Sequence, residues 1–154
     1  MNTPPTPSLP ATPAAMLTAG RGWTLLILSW LIPGVGFLAV RRYARGLAIL
    51  FLIETPFVIG AALKGVVLPP VWTAGDWGAN IVNVLTFVTQ MGNGLGGLLC
   101  LAGYAAQTSL FESFRQLPLF ELASFYVMVS GGLNYFCVCN FHDRLMKPHA
   151  IEGA

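Results

Sequence analysis

The chain has 154 residues, of which 55% are hydrophobic and only 9% charged, against roughly 25% charged in soluble proteins. That length fits one domain, and a surface so poor in charge points to lipid as the solvent. A formal charge of +2 with no basic stripe interleaved by aromatics excludes nucleic acid as a partner.

In chain order, residues 1–21 hold five prolines, four threonines and no charge before Arg21, and are expected to form an extended, disordered tail. A secretory signal would start with positive charge and then an apolar core, so the first apolar run reads as a retained helix. Charges then mark the boundaries. Nineteen uncharged residues separate Arg21 from Arg41, and eighteen, interrupted only by Glu54, separate Arg45 from Lys64. Thirty-five separate Asp76 from Glu112, and twenty-one separate Glu121 from Asp143. About 20 apolar residues make a spanning helix. The expectation is an all-α, four-helix polytopic integral membrane protein, with a transmembrane domain over residues 22–145 and a C-terminal tail over 146–154. Its helices lie near Trp23–Val40, Gly46–Leu63, Ala79–Gln107 and Phe120–Phe141.

The loops carry their own signals. The first, RRYAR, makes a tight hairpin, with Arg41, Arg42 and Arg45 as headgroup anchors. In the second, Trp72 and Trp77 suit the headgroup layer. The third, TSLFESFRQLP, reads either as an amphipathic surface segment presenting Leu110, Phe111, Phe114 and Leu117 to lipid, or as an ordinary loop. Orientation ties. Four crossings put Arg21, Lys64, Arg144 and Lys147 on one side and Arg41, Arg42, Arg45 and Arg115 on the other, although the density of RRYAR favours the cytoplasm for the first loop. The localisation expected is the cell inner membrane, multi-pass.

Within the first run, Pro33 removes a helix hydrogen bond and Gly34 and Gly36 weaken the same turn. At membrane depth such a break survives where neighbouring protein meets the freed backbone. The run WLIPGVGFLAVRRYARGLAILFLIE, through Pro33, Gly34, Gly36, Arg41, Arg42 and Gly46, resembles a bacterial family of small multi-helix membrane proteins known only as a domain of unknown function. Phe37 stands at the pattern's aromatic or histidine position. More distantly the run is similar to the hairpin of the TM-two-domain family. The segment FYVMVSGGLNYFCVCNFHD is similar to the C-terminal part of the bacterial family. The resemblance implies a fold and a membrane location, and no activity.

Candidate functional residues are few. Glu54 falls near the bilayer centre, where an acid is costly and a functional candidate by default. It reads as a proton or ion relay, or as a protonated or hydrogen-bonded clamp near Thr55-Pro56. On a continuous third helix, Asn80, Asn83, Thr86, Gln90 and Asn93 share one side, with Gly92, Gly96 and Gly103 roughly opposite. Gly92 and Gly96 form a G-x-x-x-G pair. Two protein-facing sides suggest a partner subunit, with a polar solute path or packing within the chain as alternatives. Ser130, Gly131, Gly132 and Asn134 of the fourth helix read as packing. Cys137-x-Cys139 do not face each other on a helix, and with Cys100 the three cysteines act as small hydrophobes. His142 reads as an end cap with Asp143 and Arg144, or as a ligand to a pigment such as chlorophyll or to a lipid phosphate. His149 lies in the tail.

No P-loop, G-x-G-x-x-G dinucleotide turn, H-E-x-x-H or G-x-S-x-G is present, so a membrane enzyme is the weakest class. The first expectation is a non-catalytic accessory subunit packed against other membrane protein subunits, in a photosynthetic or respiratory host among others. It is expected to bind membrane lipid and to need no cofactor, with a pigment such as chlorophyll as the alternative. The competing class is a small transporter or proton-conducting protein centred on Glu54.

Overall fold

The computed structural model describes residues 19–146; the expected tails and His149 therefore lie mostly or wholly outside the described residues. All regular structure in that range is helical: α1 Ala19–Leu31, α2 Val35–Ala39, α3 Tyr43–Ala62, α4 Trp77–Met91, α5 Leu95–Ala106, α6 Thr108–Phe114 and α7 Phe120–Met146. Ala19, Gly20 and Arg21, assigned above to the tail, belong to α1.

Two helices are long and apolar enough to cross a membrane, Tyr43–Ala62 and the stretch Phe120–Arg144 of α7, and a third candidate exists if α4 and α5 count as one span. They mark a membrane protein, and they match the second and fourth expected helices. The first and third are corrected. Helix one breaks at Pro33, which has no N–H to give, and Gly34 follows at φ 82°. The first part, α1, has 13 residues and the second, α2, only 5. Helix three breaks at Gly92–Gly94, where Gly94 takes φ 60°, ψ −108°, and the axes of α4 and α5 diverge by 118°.

The centre of the molecule is the α3–α7 pair. On α7 the buried residues Ala123, Val127, Ser130, Asn134 and Phe141 recur at intervals of three, four or seven, the seam of one helix face. On α3 Gly46, Ile53 and Gly60 are buried with the same sevenfold spacing. Gly60 lets the two backbones touch: a Cβ there would lie 2.7 Å from the Ala123 carbonyl oxygen.

The broken pairs pack on this core from opposite ends. The Trp23 and His142 rings lie 6.4 Å apart, and Phe37 meets Phe141 edge-on at 5.1 Å. Between these contacts Trp30 reaches Asn134, eight residues or about 12 Å deeper along α7. The chain thus descends along α7, turns at Pro33–Gly34 and climbs back in α2. At the opposite end Lys64 sits over the Phe114 ring at 5.7 Å, Gly65 packs on Ala123, and Gly103 packs on Phe111. The α5 helix leads from Gly94, which touches Trp30 and Leu31, back to that end. Asp76 caps α4 by accepting the Ala79 N–H at 3.0 Å, as an N-cap aspartate does.

The α6 segment is helical, but its faces differ from the amphipathic expectation. Leu110 and Leu117 are exposed, whereas Phe111 and Phe114 turn inward, Phe111 onto Gly103 and the Tyr104 ring. Trp72 and Trp77 are both exposed and meet edge-on at 6.0 Å.

Candidate functional site

The two breaks meet at the middle of α7. Gly94 lies so close to α1 that a Cβ would fall 2.1 Å from the Trp30 carbonyl oxygen. Asn134, fully buried, donates from its Nδ2 to the Trp30 carbonyl and to the Gly92 carbonyl, each at 2.8 Å. Trp30 is the last residue but one of α1, and the chain turns too early for its carbonyl to find a partner one turn on. Gly92 ends α4 in the same way. One side chain therefore meets the freed backbone of both broken helices.

A second chain of hydrogen bonds runs beside it. Asn93 donates through its Nδ2 to Ser130 Oγ, and Ser130 donates to the Ile53 carbonyl at 2.7 Å. All three residues are buried. Ile53 stands one turn before Pro56, whose missing N–H weakens the α3 ladder there. The Oδ1 atoms of Asn93 and Asn134 and Ser29 Oγ are buried with no partner among the described residues.

Glu54 follows Ile53 directly. It is half-buried, and among the described residues it takes no hydrogen bond or ion pair. Phe57, one turn further along the same face of α3, packs against Gly96 at the start of α5. The carboxyl thus lies at the edge of the junction, in the middle of the first long apolar helix.

The amide side of the third expected helix is divided by the break. Asn80 pairs with the Thr73 backbone through two 2.8 Å bonds, and Asn83 donates to the Val71 carbonyl at 3.1 Å. These two hold the preceding loop. Gln90 donates to the Ser124 carbonyl at 3.4 Å and, with Asn93, faces α7. Thr86 is half-buried and bonds to none of the described residues. The glycines also separate: Gly92 and Gly96 stand on either side of the break, so they do not form one groove. Gly92 packs against Gly131 and the Tyr135 ring, Gly96 against Phe57, and Gly131 against the Thr89 carbonyl. Gly132 has only an ordinary contact with Thr89.

Arg41, Arg42 and Arg45 are exposed at one end. Arg41 adopts φ 62° and closes α2 in a Schellman pattern, with bonds from Arg41 N to the Leu38 carbonyl and from Arg42 N to the Phe37 carbonyl. Lys64, at φ 67°, closes α3 in the same way through Ala61 and Gly60. Arg45 lies over the Phe37 ring at 5.1 Å. His142 pairs with Asp143 through Nδ1 at 3.6 Å, and Arg144 donates to Asn140 at 2.8 Å. The three cysteines are free, and no group of three His, Cys, Asp or Glu side chains fit to hold a metal occurs among the described residues.

Reading the sequence for chemistry passes over Asn134, which looks like ordinary packing. A signal existed: the break at Pro33 frees backbone carbonyls within an apolar run, and Asn134 is an amide donor in the middle of another long apolar run. No curated protein and no solved structure matches the chain significantly. A family model matches residues 24–151, which include every element of the junction, and the chain belongs to that family, a family of unknown function named DUF6677.

Proposed function

We propose that the protein is a non-catalytic integral membrane protein of the cell inner membrane that packs against a larger membrane protein as an accessory subunit. It crosses the bilayer twice, on α3 and α7. The α1–α2 and α4–α5 pairs are re-entrant, entering from opposite faces and meeting at mid-depth. This topology sorts the charges. Arg21, Arg41, Arg42, Arg45 and Arg144 share one end with Asp143, while Lys64 and Arg115 share the other with Asp76, Glu112 and Glu121. The tie left by four crossings becomes five cations against two among the described residues, Lys147 lying outside them, and the arginine-bearing end faces the cytoplasm by the positive-inside rule.

The observation that carries the accessory role is Glu54. A carboxyl in mid-span, half-exposed and without a partner among the described residues, asks for a polar group from outside. The glycines no longer supply that argument, since they meet their own chain. Glu54→Leu tests the reading. In detergent the isolated variant gains about 2 kcal/mol of stability by losing an unmet polar group, and its co-purification with other membrane proteins after mild solubilisation falls. A variant that keeps every co-purifying protein at wild-type yield overturns it.

A second reading, a small transporter or proton conductor, is favoured by the Asn93 and Asn134 oxygens, buried without a partner among the described residues where two broken helices meet, an arrangement that suits solute or ion sites. Glu54→Gln separates the two: loss of proton flux in sealed vesicles with assembly intact favours transport.

A further inference from the structure

We propose that the groove between α3 and α7 at the arginine-bearing end holds an anionic phospholipid, its acyl chain in the groove and its phosphate on Arg45. The inference rests on the topology above, which sets that end at the cytoplasmic headgroup layer. The groove encloses about 220 Å³ and is walled by Ile49 and Leu52 of α3 and by Leu133 and Phe136 of α7, with Arg45 and Asn140 at its mouth. Leu52 and Phe136 are largely exposed, so the walls are open to a chain lying along them.

The mouth is built for an anion. The Arg45 guanidinium carbon lies over the Phe37 ring, 5.1 Å from its centroid, and the guanidinium makes no ion pair or hydrogen bond among the described residues. With none of its donors used by the described residues, the guanidinium has its N–H groups available for two oxygens of a phosphate. Arg144 is tied to Asn140, which brings a second cation to the same rim. The acid of this end, Asp143, pairs with His142 and does not line the groove.

A larger groove of about 490 Å³ near the other end supplies the contrast. It is walled by Trp72, Trp77, Ile81, Val84, Leu85 and Val88 and has no cation. Its polar residue, Asn80, is committed to Thr73. An anionic headgroup finds nothing there.

Native mass spectrometry of the full chain in detergent tests the site, after exposure to equimolar phosphatidylglycerol and phosphatidylcholine of identical acyl chains. Phosphatidylglycerol should be retained about fivefold over phosphatidylcholine, the effect of one well-placed cation. Arg45→Gln should bring the two lipids to parity, Arg115→Gln at the other end should leave the preference intact, and Leu133→Trp should reduce retention of both lipids by filling the groove. Inorganic phosphate should not displace the lipid. Parity in the wild type, a preference unchanged by Arg45→Gln, or displacement by phosphate alone overturns the proposal. Lipid retention in detergent has no sidedness, so failure of the topology registers separately, in the accessibility of residues 21 and 42.

Discussion

Asn134 donates to the carbonyl oxygen of Trp30 across 2.8 Å and 104 positions of sequence. The same nitrogen donates to Gly92 at 2.8 Å. The contact ties α1, α4 and α7 together where two helices stop. Asn134→Leu keeps the side chain's four heavy atoms and its branch at Cγ, although the methyls are bulkier, and removes the donor, leaving two buried carbonyls unmet. The expected cost is about 2–4 kcal/mol, read as a fall in the thermal unfolding midpoint in detergent. A change under about 0.5 kcal/mol would mean that the carbonyls find other partners.

Gly131 and Gly132 are adjacent and should respond with opposite signs. A Cβ at Gly131 lies 2.0 Å from the Thr89 carbonyl oxygen, which is backbone and cannot swing away, while a Cβ at Gly132 lies 3.6 Å from the Thr89 methyl, an ordinary contact. Gly131→Ala should cost about 1–3 kcal/mol by pushing α4 off α7. Gly132→Ala should gain about 0.5–1 kcal/mol by stiffening the helix. Unfolding of the two variants side by side checks the α4–α7 contact, and equal effects would contradict it.

Arg41 occupies a left-handed position, φ 62°, at the close of α2. The strain of such a residue, about 1 kcal/mol, is partly offset by a cation at a helix C-terminus, worth about 0.3–1 kcal/mol. Arg41→Gly should therefore stabilise the chain by about 0.5 kcal/mol or less. Arg41→Val should destabilise it by more than about 1 kcal/mol, because a β-branched side chain suits this region worst. Chemical unfolding of both variants in detergent gives the comparison. Similar results for the two would show that the turn relaxes.

The apolar runs around Glu54 and Asn134 were legible as long helices because their charges stand at their ends, with Glu54 itself the single exception. The breaks at Pro33 and at Gly92–Gly94 were legible as weak points. Their consequence was not. Charge spacing counts residues between boundaries and does not say whether a chain continues past a kink or doubles back. For α1 and α2 the reversal follows from the contact of Trp30 with Asn134 on the way in and of Phe37 with Phe141 on the way out, both long-range. The amides of the third run illustrate the same limit. Their helical phase was sound within α4, but a 118° bend carries Asn93 and Gly96 into a different frame. Glu54 stood out from the sequence, because an acid in an apolar run needs no tertiary information to be conspicuous.

The account turns on α1–α2 and α4–α5 doubling back inside the membrane, and paired cysteine accessibility in sealed, oriented inner-membrane vesicles tests it most directly. In a background with Cys100, Cys137 and Cys139 replaced, Arg21→Cys and Arg42→Cys should react with an impermeant maleimide from the same, cytoplasmic side, and Gly75→Cys and Gln116→Cys from the other. Labelling of residues 21 and 42 from opposite sides would make the first run a crossing and contradict the two-crossing arrangement.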